Sequence, residues 1–187
     1  MFSKLFKKQS NVIPKESKGE RKKEVLLAEG AQGRVYEVNE KTIRKVYSPQ
    51  QGQEFADLIE NPNLIVAEGE ITAWNKYYTA LGLLQYATAR MDADGSLLLP
   101  KIPGTPADKL ASRPANIDVF KNEMSELMHH LCGKYAVDRK DADIFVSKTA
   151  TGKILFLPVD FGEYGMLNLF DRYVAASESL EQRVQLG

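Results

Sequence analysis

Residues 138–162 read DRKDADIFVSKTATGKILFLPVDFG. Two short apolar runs, IFV and ILFLPV, flank the turn-rich segment SKTATGK, which predicts a hairpin. Acidic groups stand at both of its ends. Asp138 and Asp143 precede the first run, with Lys140 two residues after Asp138, and Asp160 ends the second run before Phe161-Gly162. Phosphoryl transfer needs such groups: a carboxylate to orient a hydroxyl and accept its proton, a lysine facing phosphate charge, and further carboxylates to hold a divalent metal through oxygen. Either motif alone arises often by chance. Their order, and the hairpin between them, make the pair specific.

Upstream, the stretch 24–38 reads EVLLAEGAQGRVYEV, two strands around a turn with Gly30 and Gly33. Glycines let a backbone approach a phosphate closely, and Val35 follows them on the second strand. The segment TIRKVY, 42–47, alternates as a third strand and carries Lys45. A buried lysine head requires a partner. A helix is predicted over 64–81, with Ile71, Trp74, Tyr78 and Leu81 marking its buried face. Glu70 shares the face of Trp74 and is the expected partner of Lys45, whereas Glu68 has no apolar anchor four residues on. Two strands are then expected, 83–91 and 96–102, around the turn DADG. The segment PGTPADKLASRP breaks regular structure with its prolines. A second helix, 119–131, carries Phe120, Met124, Leu127, Met128 and Leu131 on one face and ends at Gly133. The residues after Gly162 read as an amphipathic helix, with Leu167, Phe170, Val174 and Leu180 near helical spacing.

Bulk composition sets the outer limits. The chain has 187 residues, 43% hydrophobic and 27% charged, which suits one domain or two small lobes around a cleft. A formal net charge of zero gives no reason to expect a nucleic-acid partner. No apolar run approaches the length of a membrane span. The single cysteine, Cys132, excludes an internal disulfide and is read as a small buried apolar residue. His129 and His130 lack metal-ligand spacing around them. Residues 1–24 are rich in Lys, Ser, Gln and Glu, and are expected to form a mobile tail, either a solvated leader or a secretion or targeting signal.

The glycine loop GAQGRV, the strand IRKVY, the helix segment EGEITAWNKYY, and then LLLPKIPGTP, VDRKDAD and LFLPVDFG together resemble the minimal effector kinases that bacteria deliver into host cells by type III secretion. The HopBF family is the nearer likeness and the OspG/NleH group the second. The resemblance covers nearly all of the chain after the tail. It implies an α+β, bilobal protein-kinase-like fold: an N-lobe of antiparallel sheet plus one helix over 25–102, and a reduced helical C-lobe without activation loop over 103–187. It implies a serine/threonine protein kinase using ATP and Mg²⁺. In it Lys45 resembles the ATP-anchoring lysine and Glu70 its helix partner. Asp138 resembles the catalytic aspartate and Lys140 the phosphate-facing lysine, while Asp143 and Asp160 resemble the metal ligands. Gly30, Gly33, Val35, Lys101 and Ile102 would line the nucleotide. The chain departs from the pattern at Ala28, where the first loop glycine stands, at Ala136, where a histidine is usual, and at Asp143, where asparagine is usual. No Ala-Pro-Glu follows Gly162. The resemblance further implies a monomer acting in the host cytoplasm on a host protein. The ninety-kilodalton heat-shock chaperone leads as substrate, with a ubiquitin-loaded conjugating enzyme as the alternative partner; a pseudokinase binding module is the remaining alternative.

Overall fold

In a computed structural model, residues 24–30, 32–135 and 139–186 are described. The expected tail, residues 1–23, lies outside them. Glu24, assigned to that tail, is docked: its carboxylate accepts a hydrogen bond from Arg44.

Alternating apolar residues build the first sheet. Strands β1 (Val25–Gly30), β2 (Gly33–Asn39) and β3 (Thr42–Tyr47) form two successive hairpins. Gly33 sits at φ 147°, and a Cβ there would stand 2.0 Å from the Val46 carbonyl oxygen, so only glycine fits at this corner. Strands β4 (Arg90–Met91) and β5 (Leu97–Pro100) complete an antiparallel sheet in the order β1-β2-β3-β5-β4. The turn between β4 and β5 forms as expected, with Asp92 N–H donating to Ser96 and Gly95 at φ 82°.

The expected long strand over 83–91 is shorter than the sequence implies. Only Arg90 and Met91 pair with β5. Backbone groups of the preceding residues are claimed by side chains of the helix beneath: Trp74 Nε1 donates to the Tyr86 carbonyl at 2.7 Å, and Asn75 both donates to and accepts from Ala89 at 2.9 Å. These bonds replace a sheet ladder.

That helix, α1 (Pro62–Ala80), starts with Pro62 in its first turn after Asn61 in the left-handed region. Its buried residues are Val66, Ala67, Glu70, Ala73, Trp74, Tyr77 and Tyr78. The expected face is therefore rotated: Ile71 is only half-buried and Leu81 is exposed. The reason is that α1 is covered on more than one side, by the sheet and by two later helices.

The prolines of the 103–114 segment do not exclude pairing. Thr105–Pro106 forms β6, which joins β7 (Ile144–Lys148) and β8 (Ile154–Pro158) in a second antiparallel sheet ordered β6-β7-β8. Helix α2 (Ile117–Cys132) ends at Gly133, φ 71°, whose N–H caps the His129 carbonyl. Helix α3 (Gly162–Leu186) follows β8 almost directly. Its expected face is also wrong. Phe170 and Val174 are exposed, while Phe161, Tyr164 and Leu169 are buried; the Leu180 side chain lies outside the described ones.

The chain is thus α+β, with a five-stranded antiparallel sheet, a three-stranded sheet and three helices among the described residues. Its main core draws on both halves of the sequence: Trp74, Leu97 and Leu99 meet Met124, Met128, Phe161 and Leu169. The Phe161 ring sits 5.5 Å from Trp74 and 5.6 Å from Tyr77. Among the described residues no helix is long and apolar enough to cross a membrane.

Candidate functional site

Lys45 lies mid-strand on β3, opposite Val35 on β2 and Leu97 on β5. Its aliphatic stem is walled by the sheet, and the head must be paired. Nζ stands 2.8 Å from Glu70 Oε2, 3.0 Å from Glu70 Oε1 and 3.1 Å from Asp160 Oδ1. The fully buried Glu70 also accepts a hydrogen bond from the Tyr47 hydroxyl. Glu68 points elsewhere and pairs with Arg172 at 3.0 Å on the surface. Burial pulls the Lys45 ammonium down, but Glu70 and Asp160 outweigh it and hold its pKa above the ordinary lysine value. The Tyr47 phenol is pushed far up by burial and by the charge of Glu70, so it remains a donor.

Asp160 follows the last residues of β8. Burial raises its carboxyl, but Lys45 and the Gly162 N–H, at 2.9 Å from Oδ1, bring it below the usual carboxylate range. Arg139 donates to the Asp160 carbonyl and covers the Phe161 ring at 5.1 Å from its centroid. Asp143 sits in a single turn of 3-10 helix over Asp141–Asp143, and its carbonyl accepts the Val159 N–H at 2.9 Å. That bond sets it beside Asp160. Burial and the charge of Asp160 both raise the Asp143 carboxyl. Two carboxylates crowded in this way suit a divalent cation, which would relieve both terms. Among the described residues no group of three or more His, Cys, Asp or Glu could hold a metal.

The Asp143 turn is tethered from outside. Asp141 accepts from Arg113 at 2.6 Å and lies 2.6 Å from Lys121 on α2. Those hydrogen bonds lower its carboxyl pKa to about 2. Arg113 also reaches Asp118 at 2.5 Å.

The hairpin of Gly30 and Gly33 overhangs this cluster. A Cβ built on Gly162 would meet Gln32 Oε1 at 2.8 Å and Lys45 Nζ at 3.2 Å, which puts the hairpin tip, Asp160 and Lys45 around one small space. Val35 flanks it through its register with Lys45. Lys101 and Ile102, past the end of β5, contribute unequally. The Lys101 N–H is spent on the Lys41 carbonyl at 2.8 Å, and its ammonium pairs with Glu37 at 3.0 Å. Ile102 is buried in the core, and its N–H has no backbone acceptor among the described residues. Lys140 is exposed beside the cluster. Asp138 lies outside the described residues.

Lys45, Glu70, Asp143 and Asp160, separated by up to 115 positions, are thus brought together. Sequence reasoning missed three contributors. Tyr47 was findable, since it stands two residues from Lys45 and so shares its face of β3. Arg139, and Asp141 as an anchor, carry no signal along the chain, because their partners come from other elements. His129 stacks on Tyr135 at 3.9 Å and takes no part. A separate cleft of about 500 Å³ lies between α1, the end of α2 and α3, lined by Glu68, Thr72, Lys76, Cys132, Lys134 and Asn168; it does not reach Lys45 or Asp160.

Compared with known proteins, the chain matches no family model, and no curated protein resembles it significantly in sequence.

Proposed function

We propose that this chain is an ATP-dependent serine/threonine protein kinase reduced to a minimal two-lobed form. The observation that carries the reading is the Lys45 ammonium held between Glu70 and Asp160 beneath a glycine hairpin. Lys45 is the anchor for the α- and β-phosphates, and Glu70 with Tyr47 keeps it charged and aimed. Gly30, Gly33 and Val35 cover the nucleotide, and Ile102 offers its N–H to the adenine edge; Lys101 supplies backbone shape only. Asp143 and Asp160 are the pair that would hold Mg²⁺, which, when bound, neutralises charge on the phosphates.

The reaction balances simply. The acceptor hydroxyl oxygen forms a bond to the γ-phosphorus while the bond from that phosphorus to the β–γ bridging oxygen breaks. ADP leaves with the electron pair. The hydroxyl proton passes to Asp138, the base assigned by its place in the motif, and Lys140 faces the transferring group. Arg139 fixes Asp160 and Phe161 from behind.

The role as a bacterial effector in the host cytoplasm, with the ninety-kilodalton chaperone as substrate, rests on the resemblance in sequence alone. A ubiquitin-loaded conjugating enzyme is the second partner to test. Purified protein is given γ-labelled ATP, Mg²⁺ and each candidate separately, with Asp160→Ala as control. Label on the chaperone, absent with Asp160→Ala, is expected. Label that requires the ubiquitin conjugate moves the assignment to the OspG/NleH group. Equal label with Asp160→Ala overturns the kinase reading.

A further inference from the structure

Helices α1 and α3 meet backbone to backbone. A Cβ on Gly165 would stand 2.3 Å from the Val66 carbonyl oxygen. A Cβ on Gly69 would stand 2.8 Å from the Gly165 Cα and 2.9 Å from the Asn168 Cβ. No side chain separates the two helices at this crossing, so their spacing is set by main chain, which does not repack. Asn168 adds direction: its Nδ2 donates to the Ile65 carbonyl at 3.1 Å, which α1 cannot slide past without losing the bond. The Arg172–Glu68 pair at the rim is half-exposed and contributes little.

Each helix carries one side of the lysine clamp. Glu70 is the next residue after Gly69 on α1, and Asp160 lies just ahead of Gly162, where α3 begins. A shift of α1 away from α3 would draw Glu70 off Lys45. We propose that Gly165 and Gly69 are positioning residues whose interlock fixes α1 at the depth that keeps Glu70 on Lys45, so that the site stays assembled without phosphorylation of this chain and without a partner. The inference rests on the phosphotransfer reading above. In it α3 does directly what an ordered loop does elsewhere, since no loop separates Gly162 from the helix.

The test uses phosphatase-treated full-length protein with Mg-ATP and no protein acceptor. Water then takes the phosphoryl group, its oxygen bonding to the γ-phosphorus as ADP departs. Turnover is compared for the unaltered protein, Glu70→Gln, Gly165→Ala and the double variant. Each single change is expected to lower turnover about tenfold, and the double variant to be no more than about twofold below Glu70→Gln, because Gly165 acts through Glu70. Trp74, the single tryptophan, is buried on α1 against Phe161 and gives a second readout. Its emission should shift to the red in Gly165→Ala, well below that variant's melting temperature, and stay put in Glu70→Gln. Should Gly165→Ala not fold, Asn168→Ala carries the same cycle, because it removes one hydrogen bond and adds no atom. Losses that multiply, an unmoved Trp74 emission, or turnover within about twofold of the unaltered protein in Gly165→Ala overturn the proposal alone. Turnover that appears only with an added partner does the same. Unchanged turnover in Glu70→Gln overturns the phosphotransfer reading itself, and the proposal with it.

Discussion

At the scale of single residues, the buried pair decides what substitutions report. Glu70 is fully buried, so removing Lys45 alone strands a carboxylate with only Tyr47 beside it. Breaking a buried ion pair from one side costs about 3–5 kcal/mol, most of it desolvation of the partner left behind. Lys45→Met should therefore lower both the melting temperature and phosphotransfer. The double variant Lys45→Met with Glu70→Gln should recover much of the melting temperature and none of the activity; recovery of activity would show that the ammonium acts structurally. Asp143 makes the opposite case. Its folded-state pKa is raised, so its ionised form is disfavoured on folding and weakens the metal-free fold above its unfolded pKa. Asp143→Asn should raise the metal-free melting temperature, keep a metal-binding oxygen and retain appreciable phosphotransfer. Asp143→Ala should gain the same stability and lose most activity. Equal activity loss in both variants would mean that the negative charge at this position is what the site uses.

Among elements, the telling one is the segment between α1 and β4. Its residues have the composition of a strand, yet only Arg90–Met91 pairs. Asn75 satisfies both the N–H and the carbonyl of Ala89 from within the helix. Asn75→Ala leaves two backbone groups without partners, at about 1–3 kcal/mol each if water cannot reach them. The expected outcome is a lower melting temperature and faster amide exchange over residues 83–91, with Mg-ATP affinity changed little. Exchange that stays slow there would mean that the segment is held by packing alone. The misread faces of α1 and α3 share one cause. A periodic pattern marks the single face a helix would bury against one neighbour. Both helices touch several, and the tightest contact between them is made by glycines, which no hydrophobic pattern weighs.

For the whole molecule, the candidate site lies where the five-stranded sheet, α1 and the end of β8 converge, so a nucleotide there bridges both halves of the chain. Ligand that binds only the folded state stabilises by mass action, by about 2.7 kcal/mol at a hundredfold excess over its Kd. Mg-ATP should raise the melting temperature, and Lys45→Met or Asp160→Ala should abolish the rise; an equal rise in these variants would place the nucleotide elsewhere. The identity of the clamp was legible along the chain because each member has a local signature. Lys45 interrupts an apolar strand, Glu70 sits one helical turn before Trp74, and Asp160 ends an apolar run before Phe-Gly. The three strands, the hairpin over 144–158 and the helices near 64–81 and 119–131 follow from periodicity and turn residues, which act over a few positions. What tertiary structure alone decided is which groups reach the clamp from a distance: Tyr47 on Glu70, Arg139 on Asp160, Arg113 and Lys121 on Asp141, and the Lys41 carbonyl on Lys101. It also decided that α3 crosses α1 at Gly69 and Gly165. Those contacts join residues far apart in sequence, so their energy depends on how elements pack, and neither spacing nor composition encodes it.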